Sequence, residues 1–323
     1  MMMQRIPDAV ISCLKENQRF LILLHQKPDG DAIGSAIAMG KGLKSLGKEV
    51  DYFIEVPVEE KLQFFNEVKT FNQKLEESYD VVIILDCSTL AYCYLPATMP
   101  VYKTLIVIDH HKSNRGYGDL NFLEITGATA ELVFRLVKAL EVSFDEEMAD
   151  AVFTAISTDT GSFQFSNVTS ETHLILSQLY EIKNNYSALS KKLHHEKNID
   201  QMKMTGAAIK SLEILDEMPI AFMILDYDTI MRYGGLINIS DDIANLGQNT
   251  IGVAMTALLK EVKPSEYRVS LRARYPFDIH EIAVKYGGGG HERAAGFNYS
   301  GDTATIKQEL MEMYQSQREK DDV

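Results

Sequence analysis

Between residues 25 and 35 the chain reads His25-Gln-Lys-Pro-Asp29-Gly-Asp31-Ala-Ile-Gly34-Ser35, which sets three metal-ligating side chains where an apolar run gives way to a helical pattern. Gly30 and Gly34 permit a tight turn and close backbone approach. Asp31 falls at the helix N-terminus, where unpaired N–H groups and the dipole favour negative charge. Taken alone, the stretch also describes an N-capping Asp31, a hydrogen-bonded histidine at a strand end and a turn aspartate. Three further places weigh against that simpler reading. Asp86 closes the run VVIILD, Asp109-His110-His111 closes LIVID, and Asp159 sits in Ser157-Thr158-Asp159-Thr160-Gly161. If the strands are parallel neighbours, all of these reach one rim. His25, Asp29, Asp31, Asp86, His110 and Asp159 then form an oxygen-rich set with two imidazoles. Such a set suits Mn²⁺ or Mg²⁺, and it lacks the thiolates of a structural zinc site. Four carboxylates on one rim would repel one another and take up protons unless cations neutralised them. Two ions about 3.5–4 Å apart can activate water and stabilise both attacking and leaving oxygens. The chemistry this predicts is hydrolysis at phosphorus.

The elements that must position these groups can be read from the patterning. Apolar runs at residues 20–25, 50–54, 81–86 and 105–109, with a helical pattern over 31–46, have the rhythm of a parallel α/β sheet. In open sheets of this kind ligands bind at the carboxyl ends of the strands. Helical patterns follow at 129–140 and 145–157, and Thr169 or Ser170 can cap the next helix. Residues 182–210 are polar and rich in Lys, Asn and His, which reads as a helical or extended linker. The predicted organisation is a first domain over 1–185, a linker over 186–211 and a smaller mixed α/β domain over 212–323. In the second domain strands are expected at 220–225 and 267–273, and helices at 241–248, 279–285 and 303–317.

At 323 residues the chain exceeds the length at which a single core usually keeps growing, so two domains are the expectation. A formal charge of −14 argues against coating duplex nucleic acid with a broad basic surface, so an anionic substrate needs a local pocket or metals. Cys13, Cys87 and Cys93 fit neither a disulfide framework nor a CxxC zinc site, which points to a reducing, cytoplasmic setting. Charges interrupt the apolar residues of the N-terminus, and no later run reaches the roughly 18 apolar residues of a membrane span, so no membrane partner is expected. Cys87 reads as a small apolar filler at a strand end. His173, His194, His195 and His280 lie outside any ligand spacing and read as surface or helix residues.

The motifs together resemble those of the DHH phosphoesterase superfamily. HQKPDGDAIGS is similar to its first motif, the Asp of ILDCS to its second, Asp109-His110-His111 to its third and STDTGSF to its fourth. The resemblance implies one metal on His25 and Asp29 and a second on Asp31 and His110, with Asp86 and Asp159 contacting both. It implies catalytic roles for Asp109, which orients a histidine, and His111, which faces the substrate phosphate. Further along, the segment Gly287-Gly288-Gly289-Gly290-His291-Glu292-Arg293 resembles the GGGH motif of the DHHA1 domain. There Gly288, Gly289 and Gly290 would bring backbone amides to a phosphate, and His291 and Arg293 would hold the substrate. Arg272, in VSLRAR, is a further candidate for gripping phosphate. The implied architecture is two α/β domains with the active site in the cleft between them. The implied activity is that of the oligoribonuclease and pAp phosphatase branch, acting on short single-stranded RNA or a nucleotide. Alternatives within the same chemistry are hydrolysis of cyclic or linear dinucleotides or of polyphosphate. A non-catalytic nucleotide-binding module fits poorly, because every ligand position is filled. A homodimer through the first domain's helices is compatible with the family pattern. Ser162 and Gln164 depart from the fourth motif, where relatives often carry a larger residue and an arginine, and this bears on how a phosphate or base is held.

Overall fold

The computed structural model describes residues 5–72, 74–215, 218–235 and 242–321. It contains two compact units, Met1–Glu196 and Lys197–Val323. The first unit runs through α1 (Asp8–Glu16), β1 (Arg19–Leu23), α2 (Gly30–Ser45), β2 (Glu49–Phe53), β3 (Ser78–Leu85), β4 (Val101–Asp109), β5 (Leu120–Leu123), α3 (Thr129–Ala139), α4 (Glu146–Asp159), α5 (Ser170–Ile182) and α6 (Ser187–His194). Its five strands pair in the order β2-β1-β3-β4-β5, all parallel. Runs of Val, Ile and Leu buried on both faces are what such a sheet demands, and Ile22, Val82, Ile83, Val107 and Ile108 are all fully buried.

Register decides where the functional ends meet. Leu23 pairs with Ile84, and Leu85 with Ile108. The residues that follow β1, β3 and β4 therefore emerge side by side at one edge. Helix α2 lies behind that edge and is buried along nearly its whole length, because its sequence, GDAIGSAIAMGKG, is built of small side chains. Gly34 lets it meet α4 directly: a Cβ there would stand 2.3 Å from the Ala151 carbonyl oxygen.

Residues 186–211, expected as a helical or extended linker, hold two packed helices. Leu189 and Leu193 of α6 join the core of the first unit. Met204 and Ala208 of the next helix, α7 (Ile199–Lys210), join a core of the second. The polar majority hid an apolar pair at helical spacing in each.

After α7 the second unit continues with β6 (Glu213–Ile214), β7 (Ile220–Leu225), α8 (Tyr227–Arg232), α9 (Asp242–Gln248), β8 (Met255–Lys263), β9 (Glu266–Ala273), α10 (Ile279–Lys285), β10 (Gly289–His291), β11 (Ala294–Ser300) and α11 (Thr303–Asp321). The sheet order is β10-β11-β9-β8-β7-β6, with β7 and β8 parallel and every other pair antiparallel. Strand periodicity sorts its side chains to two faces. Met255, Ala257 and Leu259 of β8 face a core closed by Ile282, Ile306 and Leu310. Leu258 faces the opposite one, with Met204, Ile230 and Ile243. No described helix of the chain is long and apolar enough to cross a membrane.

Candidate metal centre

The six expected ligands converge at the carboxyl edge of the parallel sheet. His25 follows β1 and bridges to Cys93 through its backbone. Its Nε2 stands 3.9 Å from Asp29 Oδ1 and 3.7 Å from Asp86 Oδ2. The other Asp86 oxygen, Oδ1, lies 3.6 Å from His110 Nε2. That same His110 nitrogen is 3.9 Å from Asp31 Oδ2 and 3.6 Å from Asp159 Oδ2. Asp86 thus turns one oxygen to each of two clusters, His25–Asp29–Asp86 and Asp31–His110–Asp159, in each of which the ligand atoms lie within 4.8 Å of one another. It does so from a left-handed backbone, φ 53°. A non-glycine residue holds that conformation at a cost of about 1–3 kcal/mol, and such strain gathers at functional sites.

Local folding explains why each ligand stands where it does. The N-cap of α2 is Asp29, whose Oδ1 accepts from the backbone N–H groups of Asp31 and Ala32 at 3.0 and 3.1 Å. Asp31, two residues on in the first turn of α2, caps a different helix. Its carboxylate accepts from Thr129 N at 2.6 Å and Ala130 N at 3.0 Å, the start of α3, whose own N-cap residue Ala128 has no side chain to offer. Ser35 Oγ also donates to Asp31, at 3.2 Å. Thr129 Oγ1 donates to Asp86 Oδ1 at 2.9 Å. His110 is oriented by the Thr126 carbonyl oxygen, 3.0 Å from Nδ1. Asp109 is buried and accepts from Asn114 Nδ2 at 2.7 Å, while its other oxygen holds His111 Nδ1 at 2.7 Å. His111 Nδ1 is also 3.6 Å from Asp86.

Three of these supports, Thr126, Thr129 and Asn114, escaped the sequence reading, as did a fourth, Asn167. Asn167 Nδ2 donates to the carbonyl oxygens of Gly127 and Asp159, at 3.0 and 3.1 Å, so it ties the loop that orients His110 to the end of α4. The hydroxyl of Thr126 in turn donates to the buried Glu131, which also accepts from Thr172 Oγ1 at 2.7 Å. A threonine opening a helical pattern at 129 was a legible signal. Asn167 offered none beyond its nearness to Asp159. His194 ends α6 with Nε2 2.7 Å from Ser157 Oγ, a helix-to-helix tie.

The electrostatics match a cation site. Burial, reinforced by the negative charge of Asp86, pushes the Asp31 carboxyl well above the usual range. Burial raises Asp159 to about 7, against the pull of His110. Burial would lower the imidazoles, yet Asp31, Asp86 and Asp159 lift His110 to about 9, and Asp29 and Asp86 lift His25 to about 11. The chain alone therefore satisfies this cluster by retaining protons. A divalent cation would take their place, since hard oxygen and imidazole donors at this spacing are what Mn²⁺ and Mg²⁺ accept. The residues present fit the group.

In the second unit the glycine run divides by role. A Cβ on Gly288 would stand 2.2 Å from the Gly296 carbonyl oxygen, and one on Gly290 would stand 2.5 Å from that of Ala294, so both are required by strand packing. Gly289 faces open space. The backbone of His291 ends β10, and its side chain lies outside the described residues. Arg293 donates to the Phe277 carbonyl oxygen and lies 5.6 Å from the Tyr275 ring centroid. Arg272 Nε donates to Asn245 Oδ1 at 2.8 Å.

Comparison with known proteins gives concordant findings. The family model "DHH family, N-terminal domain" matches residues 19–156, and the DHHA1 domain model matches residues 236–316. A bifunctional oligoribonuclease and PAP phosphatase NrnA of Thermus thermophilus is 29% identical over 302 residues, covering 87% of this chain and 84% of its own. The protein of the same name from Bacillus subtilis is 26% identical, covering 88% and 91%. Among solved structures, an exopolyphosphatase-related protein from Bacteroides fragilis superposes with a TM-score of 0.89 at 21% identity, covering 98% of this chain and 99% of its own. RecJ of Thermus thermophilus, solved with Mn²⁺, gives 0.52 at 16%, covering 96% of this chain and 54% of RecJ.

Proposed function

We propose that this chain, which matches the DHH N-terminal model over residues 19–156 and the DHHA1 model over residues 236–316, hydrolyses short oligoribonucleotides to mononucleotides and pAp to AMP. The observation that carries the reading is Asp86, which turns one carboxylate oxygen to each of two ligand clusters. The relatives named for oligoribonuclease and PAP phosphatase activity support the choice of substrate.

In this proposal His25 and Asp29 would hold one divalent ion and Asp31 and His110 a second, with Asp86 and Asp159 available to both. Two such ions would supply an activated water and charge neutralisation at phosphorus. The chain's own groups do the rest. Asp109 fixes the His111 ring through Nδ1, so that His111 meets a phosphoryl oxygen and stabilises charge as the water oxygen joins phosphorus and the P–O ester bond breaks. The departing alkoxide takes up a proton, so the products are an alcohol and a phosphate monoester, or inorganic phosphate from pAp. Arg272, the backbone of Gly288, Gly289 and Gly290, His291 and Arg293 are assigned to holding the far phosphate or nucleoside of the substrate. With three unpaired cysteines, we place the enzyme in the cytoplasm. A homodimer is the assembly expected, to be read by sedimentation equilibrium.

The test is Mn²⁺-dependent release of mononucleotides from labelled RNA dinucleotides and five-mers, with pAp and polyphosphate assayed in parallel. Turnover of the short RNAs and pAp, reduced by at least about 10³-fold in Asp86→Ala, is the expected result. Turnover of polyphosphate with none of RNA would overturn the substrate assignment and keep the hydrolysis.

A further inference from the structure

The loop that leaves α4 holds a strained backbone. Gly161, Ser162 and Phe163 follow one another at φ 56°, 57° and 65°, so two non-glycine residues hold the left-handed region in succession. Hydrogen bonds fix the turn: Ser162 N donates to Ser157 O at 2.7 Å, and the N–H groups of Gln164 and Phe165 both donate to Thr160 O at 3.0 Å. Beyond it Asn167 ties the loop back to Asp159 and Gly127. Phe163 turns inward, packs against the core and meets the Phe153 ring at 6.1 Å.

Phe165 does the opposite. It is 54% exposed, although its ring tip rests on Gly161 so closely that a Cβ there would stand 2.4 Å from Cζ. A conformation this constrained does not bury the ring. It holds an aromatic side chain toward solvent on a loop that starts from the assigned ligand Asp159 and is tied back to it through Asn167. The chain has no Trp, so any flat stacking surface must come from Phe, Tyr or His.

We infer that Phe165 is the platform on which a nucleobase of the substrate stacks while its phosphate lies at the metal centre. The inference rests on the nucleotide reading given above. It goes further by assigning a base subsite to the loop in which Ser162 and Gln164 depart from the family pattern. A stacked base has a π-face whatever its identity, so the subsite takes all four bases. It gives the enzyme a reason to prefer nucleotides over a bare polyphosphate.

The experiment compares the full chain with Phe165→Ala, Phe165→Leu and Phe165→Tyr in Mn²⁺, on RNA dinucleotides and on the same dinucleotides with both bases removed. The expected result is a KM for the base-bearing substrate raised at least about 5-fold in the Ala and Leu variants, with kcat within about two-fold, since stacking is binding that ground and transition states share. Tyr restores KM, and the abasic substrate shows no difference among the four proteins. Leu keeps apolar bulk over Gly161, so it covers the case in which Ala loosens the loop. Equal loss on abasic and base-bearing substrates, or an unchanged KM in both variants, overturns the base subsite and leaves the hydrolase reading intact. Failure of the wild-type chain to cleave any nucleotide ester overturns the hydrolase reading itself.

Discussion

Replacing Asn167 by Ala should weaken metal binding more than it weakens the fold. The amide donates to Gly127 O at 3.0 Å and Asp159 O at 3.1 Å. Each such bond is worth about 1 kcal/mol net, so the variant loses about 2 kcal/mol. In a unit of this size that lowers Tm by roughly 4–8 °C. The effect on the site is separate. Asp159 is itself an assigned ligand, and Gly127 follows Thr126, whose carbonyl oxygen orients His110 at 3.0 Å. Loss of such outer partners typically costs about 10–100-fold in metal affinity. The assay is calorimetric titration of the metal-free chain with Mn²⁺, run beside a thermal melt. Asn167→Asp serves as the control, because a carboxylate offers no N–H to either carbonyl and should not rescue affinity. A melt lowered as expected, with Mn²⁺ affinity within about two-fold of wild type, would refute the argument and leave Asn167 a purely structural brace.

Gly34→Ala forces a methyl group to 2.3 Å from the Ala151 carbonyl oxygen. It should destabilise the first unit by about 1–3 kcal/mol, as overpacking does, and an unchanged urea midpoint would contradict the contact between α2 and α4. Asp80 is held at about 2 by the Lys103 ammonium and by the backbone N–H groups of Arg19 and Gln18. A carboxyl depressed in the fold adds stability above its unfolded pKa, roughly 3.9, and that stability is lost as pH falls toward 2. Asp80→Asn should therefore be less stable than wild type at pH 6, by on the order of 1 kcal/mol after solvent screening. The gap should narrow to roughly half in denaturant curves taken near pH 3 and close only as pH falls through about 2; a gap independent of pH would count against the ion pair.

The rim of the first sheet was legible because parallel strands buried on both faces read as unbroken apolar runs, and the residue that breaks each run sits at the strand end. Asp86 and Asp109 could be placed on that ground alone. The short strand β5 could not, since LNFL shows neither an apolar run nor clear alternation. A helical reading was open for residues 186–211, but their polar majority concealed that α6 and α7 each pack an apolar pair into a core. The supports of the site were the least visible, because they join distant parts of the chain. The bond from Thr129 N to Asp31 spans 98 positions, and nothing local in the sequence announces it. The glycine run carries a second demand that the sequence did not display: glycines 288 and 290 are also required by strand packing, because a Cβ on either would meet a backbone carbonyl oxygen of the neighbouring strand.

The double duty of Asp31 has a consequence for how such proteins can drift. The His25 side chain meets two carboxylates and the neighbouring Gln26 carbonyl oxygen but caps no helix, so a lineage released from selection for hydrolysis could exchange it at small cost to folding. Asp31 is different, since its carboxylate also closes the first turn of α3 from outside. A descendant that had abandoned catalysis would be expected to keep this aspartate long after losing the histidine. Persistence of Asp31 in a divergent homologue therefore testifies to an intact helix start, while His25 and Asp86 together are the better witnesses to a working enzyme.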